Sequence, residues 1–348
     1  AKEMRGRIEQ LLDLPARNLW FGTFHGIAHR FLRAHSRDAN LPENFQILDS
    51  DDQLRIVKRI MRESNVDETR WPPKQVQSFI NSKKDEGLRA AHLPPSHSQY
   101  EQMMTTLYQA YEAQCQQSGM VDFGELLLRS HELWLNNPAL LAHYQDRFGY
   151  LLVDEFQDTN TIQYAWLRVL AGDRIPIMVV GDDDQSIYGW RGAKIENIQQ
   201  FQHDFNEPIS VKLEQNYRST STILQAANAL IANNSGRLGK DLWTDGNEGD
   251  PIDLYAAFNE QDEANYIADR ISAWVNEGRQ RAETAILYRS NAQSRVIEEF
   301  LIRQSIPYRI YGGLRFYDRQ EIRNALAYLR LVYYRHDDAA FERVVNIP

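Results

Sequence analysis

The 348-residue chain holds a single cysteine, Cys115. One thiol excludes an intramolecular disulfide framework and a cysteine cage for zinc, and it fits a reducing compartment. Long apolar runs are missing as well. No stretch approaches the ~20 residues needed to cross a bilayer, and the opening AKEMRGRIEQ has no apolar signal core. The expectation is a soluble, unsecreted, cytoplasmic chain with no membrane partner. The nine histidines contain no HExxH motif, so no zinc is assigned. Positive charge is also scarce: 39 Lys and Arg against 48 Asp and Glu leave a net charge of -9. That balance argues against a blanket electrostatic grip on nucleic acid but allows a local basic groove.

What is present points to more than one domain, because domains usually hold roughly 100 to 200 residues. The chain opens in a helical pattern at Ala1 and stops at Pro348 directly after FERVVNI, which reads as a fragment of something longer. From Phe31 to about Phe148 almost no strand pattern occurs. DQLRIVKRIM spaces Leu54, Ile56, Val57, Ile60 and Met61 for a helix, Asp122 with Glu125 has the form of a helix cap, and WPPK and HLPPSH mark turns. After Phe148 short apolar runs alternate with helical segments: YLLVDE, IPIMVVGD and ISVKL, then a helix in TSTILQAANALI. A second series has PIDLYAAF, a helix with Ala264, Ile267, Ile271 and Trp274 on one side, AILYRS, another helix, and PYRIYGG. This alternation predicts two α/β units with parallel sheets and helices on both faces. Gly312 and Gly313 are placed as a hinge before a last helix, EIRNALAYLRLVYY.

Two apolar runs end abruptly in acids. YLLVDE ends in Asp154 and Glu155, and IPIMVVGDDDQ reaches Asp182 after 182 − 154 = 28 positions, a distance that suits one helix returning to an adjacent parallel strand. At the carboxyl end of such a strand one carboxylate can hold Mg²⁺ while its neighbour orients or deprotonates an attacking water. A single acidic strand end fits a solvated turn equally well; the repeat decides for chemistry. Gln185 can hydrogen-bond both a phosphate oxygen and water, as a γ-phosphate sensor must. Within a few residues Trp190 and Arg191, flanked by Gly189 and Gly192, offer a surface on which an unstacked base can lie. Seven tryptophans in the chain make core packing the competing reading for Trp190. In LEQNYRST, Ser219 or Thr220 is the expected helix cap, Tyr217 can stack on a purine, and Arg218 can neutralise charge on a transferred phosphoryl group. WFGTFHG reads as a strand leading into Thr23, Phe24 and His25 at a loop suited to phosphate and base contacts.

The segments GTFHG, VDEFQDTN, VGDDDQSIYGWRGA, LEQNYRST and LYRSNAQSR, in this order over residues 20 to about 313, resemble the UvrD/Rep-type superfamily 1 DNA helicases. The spelling GDDDQSIYGWRGA is similar to the stand-alone branch rather than to the nuclease-fused subunits. The resemblance implies an α/β chain of RecA-like P-loop helicase domains with a helical insertion. Residues 1–30 and 147–212 would form parts of the first RecA-like domain (1A), 31–146 its helical insertion (1B), 213–313 part of the second (2A), and 314–348 the start of another insertion (2B). It implies a 3′ to 5′ motor on single-stranded DNA that acts at single-strand/duplex junctions in bacterial repair or replication. Repair proteins would be its partners and nucleoid DNA its location.

ATP would be held with Mg²⁺ between the two RecA-like domains. Carried over residue by residue, Asp154 binds the metal, Glu155 is the hydrolytic base, Gln185 senses the γ-phosphate, Tyr217 stacks on adenine, and Arg218 is the arginine finger. Thr23, Phe24, His25, Tyr188, Trp190, Arg191, Arg289 and Asn291 would contact DNA. The chain departs from the family in having no GxxxxGK[ST] loop, so the isolated polypeptide is expected to have negligible ATPase activity. The alternative function is a single-stranded DNA-binding module that never hydrolyses nucleotide.

Overall fold

A computed structural model describes residues 2–13, 19–205, 208–311 and 320–347. It divides into two compact units, Ala1–Lys212 with Asn234–Gly239 and Tyr334–Pro348, and Leu213–Asn233 with Lys240–Tyr333. The fold is mixed α/β, mostly helical, with short parallel sheets. No helix among the described residues is long and apolar enough to cross a membrane.

In the first unit, α1 (Lys2–Leu12) and α2 (Phe24–Ala34) precede a two-residue strand, β1 (Gln46–Ile47). Then come α3 (Ser50–Glu63), α4 (Pro73–Asp85) and α5 (Gln99–Gln117). Strand β2 (Met120–Val121) pairs in parallel with β1, followed by α6 (Phe123–Asn136) and α7 (Pro138–Arg147). The periodicity of DQLRIVKRIM does form a helix, with Ile56, Val57, Ile60 and Met61 buried, though Gln53 and not Leu54 completes the buried face. Asp122 caps α6 as its spacing predicts, its Oδ1 accepting from Glu125 N at 2.7 Å. The strand expected in WFGTFHG does not form. Thr23 there caps α2 by accepting from Gly26 N at 3.2 Å, and the chain turns directly into helix.

The helical region is knit by a buried ionic cluster. Lys84 on α4 is 1% exposed and donates to Asp122 at 2.7 Å, with Glu125 at 3.0 Å. Arg89 reaches both carboxylate oxygens of Glu125, at 2.7 and 2.8 Å, and also Glu132 and Glu112. Burial alone pushes the Lys84 ammonium toward neutrality, but Asp122 and Glu125 overcome it and hold the charge firmly. Burial pushes Glu125 up, and Lys84, Arg89 and Arg129 bring it well below the usual carboxylate range. Removing one partner leaves buried charge uncompensated, so Lys84→Met is expected to destabilise this unit by about 3–5 kcal/mol. A urea unfolding midpoint unchanged from wild type would contradict this.

β3 (Leu151–Val153) and β4 (Ile177–Val179) pair in parallel, in register Leu151 to Ile177 and Val153 to Val179, joined by α8 (Thr161–Ala171). This is the crossover that the 28-residue spacing predicts. Leu151, Val153, Ile177 and Val179 face a core built on Phe31, Trp134 and Trp166, in which the Phe31 and Trp134 rings stack at 4.0 Å. The alternate residues Leu152 and Met178 point to solvent. α9 (Glu196–Asp204) follows.

The second unit contains α10 (Ser221–Ile231), α11 (Glu260–Asn276), α12 (Asn291–Arg303) and α13 (Gln320–Tyr333). Ala264, Ala268 and Ile271 of α11 pack on Ile297 and Leu301 of α12. The segments ISVKL, PIDLYAAF and AILYRS, and 307–311 of PYRIYGG, expected as strands, are not strands among the described residues, and the β pairing in this unit is a parallel bridge between Gln215 and Trp243. Leu213, Leu254 and Leu287 are 78%, 96% and 93% exposed. Gly312 and Gly313, the proposed hinge, lie outside the described residues. A final short helix, α14 (Asp338–Val344), belongs to the first unit. Its Arg343 donates to Asp49, the cap of α3, at 3.0 Å and to Asp52 on α3 at 2.8 Å.

Candidate functional site: two acidic strand tips and an aromatic loop

Asp154 and Glu155 follow β3 directly and are exposed. Glu155 sits at φ 53°, ψ 44°, a left-handed conformation that is uncommon outside glycine and concentrates at functional sites. Its amide donates to Asp154 Oδ1 at 3.0 Å. The turn is held from below by Gln157, which is 1% exposed. Gln157 Nε2 donates to Glu155 Oε2 at 2.7 Å, while its Oε1 accepts from the amide of Asp182, beyond β4, at 2.9 Å. One buried amide therefore fixes both acidic tips. Gly181 makes this possible, since a Cβ there would stand 2.8 Å from Gln157 Oε1. Gln157 escaped the sequence reading because a neutral amide inside VDEFQDTN carries no spacing signal of its own.

Beyond β4 the loop turns inward on Asp182, which accepts from Asp184 N at 3.0 Å and from Gln185 Nε2 at 2.7 Å. The carboxylates of Asp182, Asp183 and Asp184 bring oxygen atoms within 4.8 Å of one another. Asp183 accepts from Leu238 N, and Asp184 takes a two-point grip from Arg237. Asp154 fits Mg²⁺ by chemistry: an exposed hard-oxygen donor at a sheet edge. His25 and His29 lie one turn apart on α2, and His29 Nε2 accepts from Arg33 Nε at 3.0 Å.

The same loop continues into an exposed platform. Trp190 is 70% exposed, unlike the core residues Trp134 and Trp166, so core packing does not account for it. The Arg191 guanidinium lies 4.5 Å from the Trp190 ring centre and 5.1 Å from that of Tyr188. Gly192, at φ 87°, ends the turn in a backbone conformation that disfavours side chains. The platform is tied back to the acidic motif, with Lys194 N donating to Thr159 O at 2.9 Å and the buried Asn197 amide to the same oxygen at 3.0 Å. Asn160 donates to Asp85 at the end of α4 at 2.9 Å, and burial raises the Asp85 carboxyl to about 6.

The other expected contacts are placed less uniformly. Thr23 is occupied as a helix cap, and Phe24 packs edge-on to Trp166 in the core. His25 stands edge-on to Phe123, which is 52% exposed, and burial lowers its pKa. In the second unit Tyr217 is 86% exposed and donates to Gln215 at 2.7 Å. Arg218 is exposed, and its amide, like that of Ser219, donates to Asn216 Oδ1. Asn216 thus closes this turn, while Thr220 occupies the cap position of α10 without a side-chain bond. Arg289 is exposed ahead of α12, and Asn291 is that helix's first residue, behind a capping box of Ser290 and Gln293.

The acidic tips of two neighbouring parallel strands are thus fixed by one buried amide, and the second of them runs on into an aromatic-guanidinium loop. The chain belongs to the UvrD/REP helicase family: the helicase N-terminal domain matches residues 1–206 and the UvrD-like helicase C-terminal domain residues 211–348. It is 63% identical over 348 residues to DNA helicase II of Escherichia coli K12, covering 100% of this chain and 48% of that protein. Identity is 57% over 352 residues to DNA helicase II of Haemophilus influenzae, and 41% over 349 residues to the ATP-dependent DNA helicase PcrA of Staphylococcus epidermidis, with the same coverage. The chain spans about half the length of the curated relatives it matches.

Proposed function

We propose that this chain is the central part of an ATP-dependent 3′ to 5′ DNA helicase that moves on single-stranded DNA and acts at junctions with duplex in bacterial repair or replication. One observation carries the reading: the loop that starts at the nucleotide-side acids ends at the Trp190 platform, and Gln157 fixes its origin to the turn of Glu155. The names of the relatives, DNA helicase II and ATP-dependent DNA helicase PcrA, support DNA and ATP as ligands. Residues 1–30 and 147–212 would contribute to the first RecA-like domain, 31–146 to its insertion, 213–313 to the second domain and 314–348 to the next insertion.

In this reading Asp154 would hold Mg²⁺, and the ion would supply positive charge against the phosphates. Glu155, exposed at the end of β3 and oriented by Gln157, takes the proton from the attacking water. Gln185 leaves Asp182 to hydrogen-bond the γ-phosphate. Tyr217 stacks on adenine, and Arg218 neutralises the developing charge. On the DNA side Tyr188, Trp190 and Arg191 hold bases, with Thr23, Phe24, His25, Arg289 and Asn291 as further contacts. Phe123, exposed beside His25 on the first unit, adds an aromatic ring there.

Stacking contributes on the order of 1–3 kcal/mol per base, so Trp190→Ala in the full-length protein should weaken DNA stimulation of ATP hydrolysis by roughly tenfold. Trp190→Phe should retain most of it. Titrating hydrolysis with oligo-dT checks this, and stimulation of Trp190→Ala equal to wild type would count against the platform.

A further inference from the structure

Three consecutive carboxylates repel one another, yet the GDDDQ turn must present Gln185 at a fixed height for a phosphate. A segment more than fifty residues further on resolves the conflict. Arg237 donates to Asp184 through Nε and Nη2, both at 2.7 Å, and the two side chains are only 17% and 15% exposed. The amide of the next residue, Leu238, donates to Asp183 Oδ2 at 2.8 Å. The Lys212 ammonium in turn donates to the carbonyls of Leu238 at 3.1 Å and Gly239 at 2.6 Å. Asn234–Gly239 packs as part of the first unit, although the residues on either side of it belong to the second. These hydrogen bonds tie it to the acidic loop and to Lys212.

We propose that Arg237 is a positioning residue for ATP hydrolysis: its fork on Asp184, with the Leu238 amide on Asp183, clamps the loop that carries Gln185 and leads to Trp190. The inference rests on the helicase reading and adds to it a residue outside the motif segments. A planar guanidinium matches a carboxylate at two points, which fixes direction as well as charge, and a lysine cannot reproduce this. With Asp183 and Asp184 anchored, only the side chain of Gln185 has to move when it exchanges Asp182 for a phosphate oxygen. Without the clamp the backbone moves too, and the phosphate-sensing geometry is occupied less often.

The test uses the full-length protein that carries this chain, as wild type, Arg237→Ala and Arg237→Lys. Hydrolysis is measured with and without oligo-dT and normalised to the number of ATP-binding sites; amide hydrogen exchange is followed over 182–192. Loss of one charge-assisted two-point contact is expected to lower kcat of Arg237→Ala about tenfold, with KM for ATP within about threefold, and to speed exchange in the loop. Arg237→Lys should recover part of kcat but not the wild-type protection. A variant that merely misfolds in part loses binding sites and leaves normalised kcat unchanged, which would overturn the proposal, as would unchanged exchange over 182–192. Wild-type protein without DNA-stimulated hydrolysis would remove the helicase reading and the clamp's role with it. Stimulated wild type beside an equally active Arg237→Ala would remove the clamp alone.

Discussion

Glu155→Gln in the full-length protein is expected to bind ATP within a few-fold of wild type and to hydrolyse it on the order of 10³-fold more slowly, the range that a positioned general base supplies. The substitution preserves size, and glutamine can still accept the bond from Gln157 Nε2, so the turn at φ 53° stays in place. What is lost is the carboxylate that the proposed mechanism uses to accept a proton from water. Rapid-quench measurement of a single turnover, beside equilibrium binding of a fluorescent ATP analogue, separates the two effects. A variant that turns over at the wild-type rate would remove Glu155 from the chemistry and leave it a structural turn residue.

The second large effect concerns the 348 residues expressed alone. They contain Asp154, Glu155 and Gln185 but no GxxxxGK[ST] segment to cradle the phosphates. Positioning supplies about 7–11 kcal/mol of a barrier in well-oriented reactions, equivalent to roughly 10⁵-fold or more. The isolated chain should therefore release phosphate at background rate even with saturating oligo-dT, while the full-length protein turns over. A colorimetric phosphate assay that found robust DNA-stimulated turnover by the isolated chain would refute the argument. It would mean that other residues hold the phosphates.

The strand pairing and the exposed loop around the candidate site were legible because their signals are local. An apolar run that breaks into acids, repeated 28 positions later, demands an adjacent parallel strand, and β3 and β4 form one. Gly189 and Gly192 announce an exposed turn, and Trp190 is exposed while Trp134 and Trp166 fill the core. Asp122 with Glu125 marked the start of α6. What sequence could not show depends on partners far along the chain. Gln157 matters only because β4 ends beside it, Arg237 only because Asp184 lies within reach, and Lys84 reads as a surface residue until Asp122 and Glu125 enclose it. The second unit shows the opposite failure. Its apolar runs have strand composition, but Leu254 and Leu287 meet no neighbouring strand among the described residues, and composition alone does not make a ladder.

The central claim is that nucleotide chemistry and strand grip are joined through one loop, from Asp182 to Gly192. Steady-state phosphate release by the full-length wild-type protein, measured with and without oligo-dT, tests it most directly. The account predicts slow hydrolysis of ATP alone and at least a tenfold rise with single-stranded DNA. Equal rates in the two conditions would contradict it.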